Sequence, residues 1–305
     1  MTGADATGPR PPVRVALAEP VDTLPRGAGL AYEPKFDGHR MLIFRDAGTG
    51  PEAVRLQARS GRIVTAAFPD LVTAALRLPP GTVLDGEVVV WRDGRTDFAA
   101  VQKRAMATER HAPGLAATLP ASYAAFDVLA EGGRDLRGLA YRHRRARLVA
   151  LLTPLGPPLQ AVPMTVDADE AAEWYETLPA IGVEGLVAKR LDGTYRGGAR
   201  VWWKLRHTTP RDVVVVGHTG PPDRPRALVV VLPGDDTPVV SSPLTPTLRA
   251  QAAALLPPGT GGEGRATAPG LGEITYREVP PTLPAEADLR TTRHTVLTIT
   301  RLRPP

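Results

Sequence analysis

Short apolar runs alternate with Gly-containing turns over the first half of the chain, and this pattern predicts a strand-rich start. Strands are predicted at Ala31–Pro34, His39–Arg45 and Ala53–Ala58, then a short helix at Val64–Leu78. The run through Val88-Val89-Val90 makes Thr82–Trp91 a buried strand. A helix at Phe98–Arg104, an Ala/Pro-rich loop at Ala105–Pro120, a strand at Ser122–Leu129 and an Arg-rich helix at Tyr141–Leu152 follow. Asp167 is a helix cap, with Glu170 three residues on, ahead of a helix at Ala171–Leu178. Strands at Val183–Leu191 and Arg200–Arg206 lead to a boundary near His207–Arg211.

Beyond the boundary, strands are predicted at Asp212–Thr219, Arg226–Leu232 and Pro238–Ser242, a helix at Thr245–Leu256, a Gly-rich linker at Pro257–Gly264, and strands at Gly272–Val279 and His294–Arg301. Five strands interrupted by one helix is the element order of a small Greek-key barrel. Residues 1–12 read as a disordered tail. The length of 305 residues suits two ordinary domains. No apolar run is long enough to span a bilayer, and the N-terminus lacks the apolar stretch of a secretory signal. The expected compartment is the cytoplasm.

Composition sharpens the chemistry. Cysteine is absent, which excludes disulfides, thiolate metal sites and a cysteine nucleophile. Of 37 basic residues only four are lysines, Lys35, Lys103, Lys189 and Lys204, against 33 arginines. Arginine stays protonated, so a lysine retained in such a background invites the question of an amine nucleophile. Net charge is +5, and the segment from Thr208 onward, with ten arginines and nine acids, contributes almost none of it. A basic excess suits an anionic partner.

The candidate centre is Glu33-Pro34-Lys35-Phe36-Asp37-Gly38-His39-Arg40. A lysine at a strand end, an Asp-Gly turn and an arginine on the returning strand would set positive charge beside an amine and lower its pKa. Alone, this describes any hairpin with a lysine near it. Asp85-Gly86-Glu87 alone is an ordinary turn before a buried strand, and Phe126 alone is a core residue. Trp202 and Trp203 point to opposite faces of one strand. The arginines Arg142, Arg144, Arg145 and Arg147 read as a solvated helix face, with DNA contact as the other reading.

Taken in order, the motifs resemble those of ATP-dependent DNA ligases of the bacterial type, within the covalent nucleotidyltransferase superfamily. Lys35-Phe36-Asp37-Gly38-His39-Arg40 resembles motif I, and Arg59-Ser60-Gly61-Arg62 the short motif after it. Leu84-Asp85-Gly86-Glu87 resembles motif III, trailed by Asp97-Phe98 and Gln102-Lys103-Arg104; Tyr123 to Leu129 resembles motif IIIa. Val183 to Arg190 resembles motif IV, and Trp202 to Arg206 motif V, with arginine where a second lysine usually stands.

The resemblance implies an α+β fold: an adenylation (nucleotidyltransferase) domain of antiparallel sheets flanked by helices at 13–207, then a small OB-fold β-barrel at 211–305. It implies ATP and Mg2+ (or Mn2+) as cofactors, and nicked duplex DNA as the partner of a monomeric, nucleoid-associated repair enzyme. No separate N-terminal DNA-binding domain is expected. By the resemblance Lys35 is the nucleophile that carries AMP. Glu33, Arg40, Arg59, Glu87, Phe126, Val187, Lys204 and Arg206 bind the nucleotide, and Glu184 with Glu87 holds the metal. The family's last motif, an arginine followed by aspartate, is reduced to Arg301 or Arg303 with no aspartate after it. Two other readings are an RNA ligase or other nucleotidyltransferase on the same domain, and a non-catalytic nucleic-acid-binding relative.

Overall fold

The computed structural model describes residues 8–207, 209–256, 261–268, 272–291 and 295–303. The chain forms two units, Met1–His207 and Thr208–Pro305. The first unit begins with β1 (Leu17–Pro20), β2 (Leu30–Phe36), β3 (His39–Arg45), β4 (Val54–Ala58), α1 (Pro69–Ala75) and β5 (Thr82–Arg92). Next come β6 (Arg95–Thr96), α2 (Phe98–Ala105), α3 (Ala112–Thr118), β7 (Ala121–Glu131), β8 (Arg134–Asp135) and α4 (Tyr141–Leu152). It closes with β9 (Leu159–Ala161), α5 (Ala168–Thr177), β10 (Val183–Arg190) and β11 (Arg200–Arg206).

Two sheets stack. The smaller has the order β1-β11-β10-β2; the larger runs β4-β3-β5-β7-β8, with β6 on β5 and β9 on β7. Leu42, Phe44, Val83, Leu129, Tyr195 and Trp202 fill the space between them. The other face of the larger sheet packs Met41, Ile43, Leu84 and Val88 against Leu71, Val101 and Leu148 from α1, α2 and α4. The other face of the smaller sheet packs Tyr32, Leu186 and Ala188 against Ala171 of α5. Both sheets are therefore covered on both sides.

Several expectations change. The sheets are not wholly antiparallel, because β1 joins β11 and β9 joins β7 in parallel. The predicted helix Val64–Leu78 is a single 3-10 turn (Thr65–Ala67) followed by α1, since Pro69 cannot continue a helix but starts one well. The predicted loop Ala105–Pro120 contains α3, whose Pro113 sits in the first turn, where a missing N–H costs nothing. Of the predicted tail, residues 1–7 lie outside the described residues. Residues 8–12 are fastened: the Gly8 N–H donates to Gly133 O at 2.6 Å. Asp167 does cap α5, accepting from the Asp169 N–H at 2.8 Å.

The second unit holds β12 (Thr209–Thr219), β13 (Ala227–Leu232), β14 (Asp235–Val240), α6 (Pro246–Leu255), β15 (Glu263–Ala268), β16 (Gly272–Thr291) and β17 (Thr295–Leu302). β12 pairs with both β13 and β16, so the chain of pairings β12-β13-β14-β15-β16 closes on itself. Six strands stand where five were predicted. β15 begins inside the stretch read as a linker, whose residues 257–260 lie outside the described set. β16 runs on past Val279 because Pro280 and Pro281 fall where its pairing to β12 skips from Glu278 to Leu283, the one place a strand tolerates them. Val213, Leu228, Val230, Ala285, Leu297 and Ile299 form its core with Leu248 of α6.

Candidate active site

Register decides which side chains meet. Opposed residues of antiparallel strands share a face, as do alternate residues of one strand. Across β2, β10 and β11 this puts three rows on the face toward the larger sheet: Lys35-Gly185-Arg206, Glu33-Val187-Lys204 and Ala31-Lys189-Trp202. From the larger sheet, Arg40 on β3 lies opposite Glu87 on β5, with Asp85 two residues before it and Phe126 on β7. Seven of the predicted site residues, Glu33, Lys35, Arg40, Glu87, Val187, Lys204 and Arg206, thus line facing sheet surfaces, with Phe126 between them.

The Asp37-Gly38 turn is not the predicted hairpin. β2 pairs with β10 and β3 pairs with β4 and β5, so the turn carries the chain from one sheet to the other. This crossing holds Lys35 at one wall and Arg40 in the opposite one. Gly38 is needed there, because a Cβ would run into the Val88 carbonyl and stand 3.0 Å from Glu87 Cγ. Gly185, at φ 153°, lets β10 bulge so that Glu184 turns into the site beside Lys35.

At the open end, the Lys35 ammonium donates to one oxygen of Glu184, while Arg206 Nε lies 2.7 Å from the other. Lys204 stands close by. Burial holds its pKa below the ordinary lysine value, and the charges of Arg206, Lys35 and Arg59 add to this against Glu184. The charge of Arg59, exposed in the turn after β4, is felt at Lys204. Lys35 and Arg206 share the Glu184 carboxylate, with Asp37 within reach of their charges, while Lys204 on the next row has no ion pair among the described residues. Cations so placed suit a polyphosphate.

At the deep end the charges are balanced. Glu33, 2% exposed, receives Lys189 Nζ at 2.6 Å on one oxygen and the Tyr141 hydroxyl on the other. Lys189 also donates to Phe126 O at 2.9 Å, and sits 4.9, 4.7 and 4.4 Å from the ring centres of Phe126, Tyr141 and Trp202. Phe126 meets Trp202 edge-on at 5.8 Å and is partly buried beside Val187. Arg40 is held by Asp85 through two bonds of 3.0 and 2.7 Å and donates to Ala16 O at 2.6 Å. It is a braced wall of the site, where the sequence suggested a charge beside the lysine amine.

Sequence reasoning missed the bracing partners. Asp85, fully buried, also accepts from the Tyr195 hydroxyl at 2.7 Å. Asp127 is bound by Arg144 at 2.8 and 2.9 Å, both groups fully buried, and Arg145 donates to Val162 O. The α4 arginines are therefore not a solvated face: Arg144 and Arg145 are core, Arg147 pairs with Glu131 at 2.6 Å, and Arg142 is exposed. Arg104 of the Gln-x-Arg element is likewise buried on Asp70, while Lys103 beside it is exposed. Trp202 is the buried tryptophan of its pair.

A metal ion must find oxygen ligands. Among the described residues no three acidic or imidazole side chains enclose a ready-made site. The donors at the open end are carboxylates only, which suits a hard cation that takes one or two carboxylates and fills its other positions with water and phosphate. Glu87 and Asp37 both have raised pKa values, Glu87 pushed up to about 7 chiefly by burial, with Lys35 and Arg40 working against the rise. In Asp37 burial leads and the charge of Glu184 adds to it. Such carboxyls gain from an added cation.

In the second unit Arg303 is tied to Glu286 and, at 3.2 Å, to Asp212. The sequence suggested an arginine with no carboxylate to hold it; the partners come from β16 and β12 instead of from the residues after it. Arg301, exposed on β17, makes no ion pair among the described residues.

The family model for the ATP dependent DNA ligase domain matches residues 16–206. DNA ligase C2 of Mycolicibacterium smegmatis is 39% identical over 230 residues, covering 74% of this chain and 63% of that protein. The chain spans about three-fifths of the length of this relative and of two other mycobacterial DNA ligases, C and C1, and less of other curated relatives. The crystal structure of the ligase domain of M. tuberculosis LigD superposes with a TM-score of 0.54 at 27% identity, over 95% of each chain. A mycobacterial DNA ligase D solved with ATP and MES gives a TM-score of 0.52 at 27% identity, over 96% of this chain and 95% of that one. From Ala16 to Arg206, the stretch that carries the facing sheets and the cations around Glu184, this chain belongs to the family of ATP-dependent DNA ligase domains.

Proposed function

We propose that the protein is an ATP-dependent DNA ligase that seals 5′-phosphate/3′-hydroxyl nicks in duplex DNA through a lysyl-AMP intermediate, in DNA repair on the bacterial chromosome. The observation that carries the reading is the Lys35 amine held by Glu184, which also pairs with Arg206, with Lys204 on the same face one row away. In the first step Lys35 Nζ attacks the α-phosphorus of ATP, the P–N bond forms, and the bond to the pyrophosphate oxygen breaks. Lys204 and Arg206 hold the phosphate charge in line with the amine, which is where phosphoryl transfer gains most. Glu184 orients the amine through the hydrogen bond already present, and the ammonium gives up its proton to water before the attack. Phe126 and Val187 sandwich the adenine at the deep end, over the Glu33–Lys189 pair. Glu87 meets the ribose, and Arg40, bound to Asp85, keeps that wall in place.

AMP then moves to the 5′-phosphate of a nick, and the adjacent 3′-hydroxyl displaces it. Glu184, with Glu87 or Asp37, would hold Mg2+, which when bound neutralises charge developing on the phosphoryl oxygens. We assign residues 13–207 to the adenylation domain. Residues 211–305, with their closed ring of pairings and the helix between β14 and β15, we assign to an OB-fold barrel. The test is a sealing assay with a labelled nicked duplex and ATP, beside single-stranded RNA ends. Sealing of the DNA nick supports the reading; joining of RNA ends in preference to the nick overturns its substrate.

A further inference from the structure

Two regions that lie apart in sequence are joined on the first unit by a third, and neither of the two contains an acidic residue. Residues 53–69 carry Arg59 and Arg62 on the turn after β4, and residues 193–207 carry Arg196 and Arg200 ahead of β11. The segment 8–18, also free of acids, stitches them together and adds Arg14. On one side Val13 exchanges two hydrogen bonds with the buried Gln57 side chain, at 2.8 and 2.7 Å, and Pro12 packs against Gly61. On the other, the Gly198 N–H donates to Val15 O at 2.8 Å, Leu17 N–H donates to Ala199 O at 2.8 Å, and the Arg14 guanidinium lies over Gly198. Gly197 and Gly198 permit this close approach, since a Cβ on either would strike Arg14.

The five arginines are exposed, and among the described residues none is in an ion pair with a carboxylate. Elsewhere on this unit Arg26, Arg147 and Arg190 are neutralised locally by Asp169, Glu131 and Asp192, while Arg95, Arg110, Arg134 and Arg142 are exposed without an ion pair among the described residues but lie scattered along the chain. The α4 arginines, the sequence's other source of positive charge, are partly interior. One end of the band is Arg59, whose charge acts on Lys204 of the site. Open positive charge without acids is the electrostatic footprint of a polyanion partner.

We propose that Arg14, Arg62, Arg196 and Arg200, continuing from Arg59, form a track that binds the phosphate backbone of duplex DNA flanking the nick. The track takes its substrate from the ligase reading, and the test separates the two. Each phosphate neutralised steepens the dependence of log K on log salt by about 0.9. Replacing Arg14, Arg62, Arg196 and Arg200 together by Gln should lower the salt slope for binding a nicked duplex by about 3 to 4. Affinity near 0.1 M salt should fall at least tenfold, while ATP-driven protein–AMP formation without DNA keeps its wild-type rate. The Lys version of the same four substitutions should recover the slope. An unchanged slope and affinity in a Gln variant that still forms the adduct overturns the track. Loss of the slope in the Gln variant of a protein whose wild type forms no adduct upholds the track and removes the ligase reading beneath it. A Gln variant that does not fold leaves the Lys version as the measure, and a wild-type slope below about 3 then overturns the track.

Discussion

Lys189→Met is the most revealing perturbation of the deep end. It removes the 2.6 Å pair to Glu33 and the 2.9 Å bond to Phe126 O, and keeps an apolar chain of similar length within the Phe126, Tyr141 and Trp202 cage. Breaking a buried pair leaves an uncompensated charge and costs about 3–5 kcal/mol. The Tyr141 hydroxyl still reaches Glu33, and Arg145 lies 3.8 Å away, so the low end, about 3 kcal/mol, is expected. For a domain of this size that is a fall in Tm of about 6–12 °C. Glu33→Gln added to Lys189→Met removes the stranded charge and should restore most of the loss, because a neutral pocket is tolerated where half an ion pair is not. The assay is urea unfolding of the four proteins of the cycle, followed by tryptophan fluorescence. A double variant as unstable as the sum of the two singles refutes the pairing.

Glu87 gives a pH signature. Its folded pKa of about 7 lies above the ordinary 4.5, so the folded protein holds the proton more tightly between those values. Its contribution to stability is present below pH 4.5 and is lost as pH rises through 7. Urea midpoints measured from pH 4.5 to 8 should therefore fall more in wild type than in Glu87→Gln; the opposite difference contradicts the burial of this carboxyl. Gly38→Ala, which forces the Asp37–Gly38 crossing away from the Val88 carbonyl, should slow adduct formation on the order of a hundredfold by displacing Lys35, read in single-turnover labelling. Arg301→Ala should slow self-adenylation and largely spare sealing of a nick that already carries 5′-AMP. Arg303→Ala, which frees Glu286 and Asp212, should instead lower the stability of the second unit only slightly, as expected of so exposed a pair, read as a small fall in its urea midpoint.

The sequence located single strands and helices well where one face is buried and the other carries a motif. β3 and β11 begin and end where the apolar pattern does, and α4 spans its predicted residues. It was silent on pairing, since K-x-D-G fits a hairpin as well as a crossing between sheets, and only the partners of β2 and β3 decide. It also misjudged arginines. Arg144 and Arg145 look like surface in any window of α4, and only the arrival of Asp127 from β7 and Val162 after β9 makes them core. Lys189 is instructive in the same way: scarcity of lysine flagged it, but its partner Glu33 comes from another strand. α3 and β15 were hidden by proline and glycine, which weaken any local pattern without forbidding an element whose other contacts are strong.

The central claim is that Lys35 carries the nucleotide. Incubation with α-labelled ATP and Mg2+, followed by denaturation, digestion and mass spectrometry of the labelled peptide, tests it most directly, because only four lysines exist to be labelled. The account predicts a denaturation-resistant adduct on the peptide containing Lys35, absent in Lys35→Arg, whose guanidinium stays protonated. Label that persists in Lys35→Arg, or that maps to Lys103, Lys189 or Lys204, contradicts it.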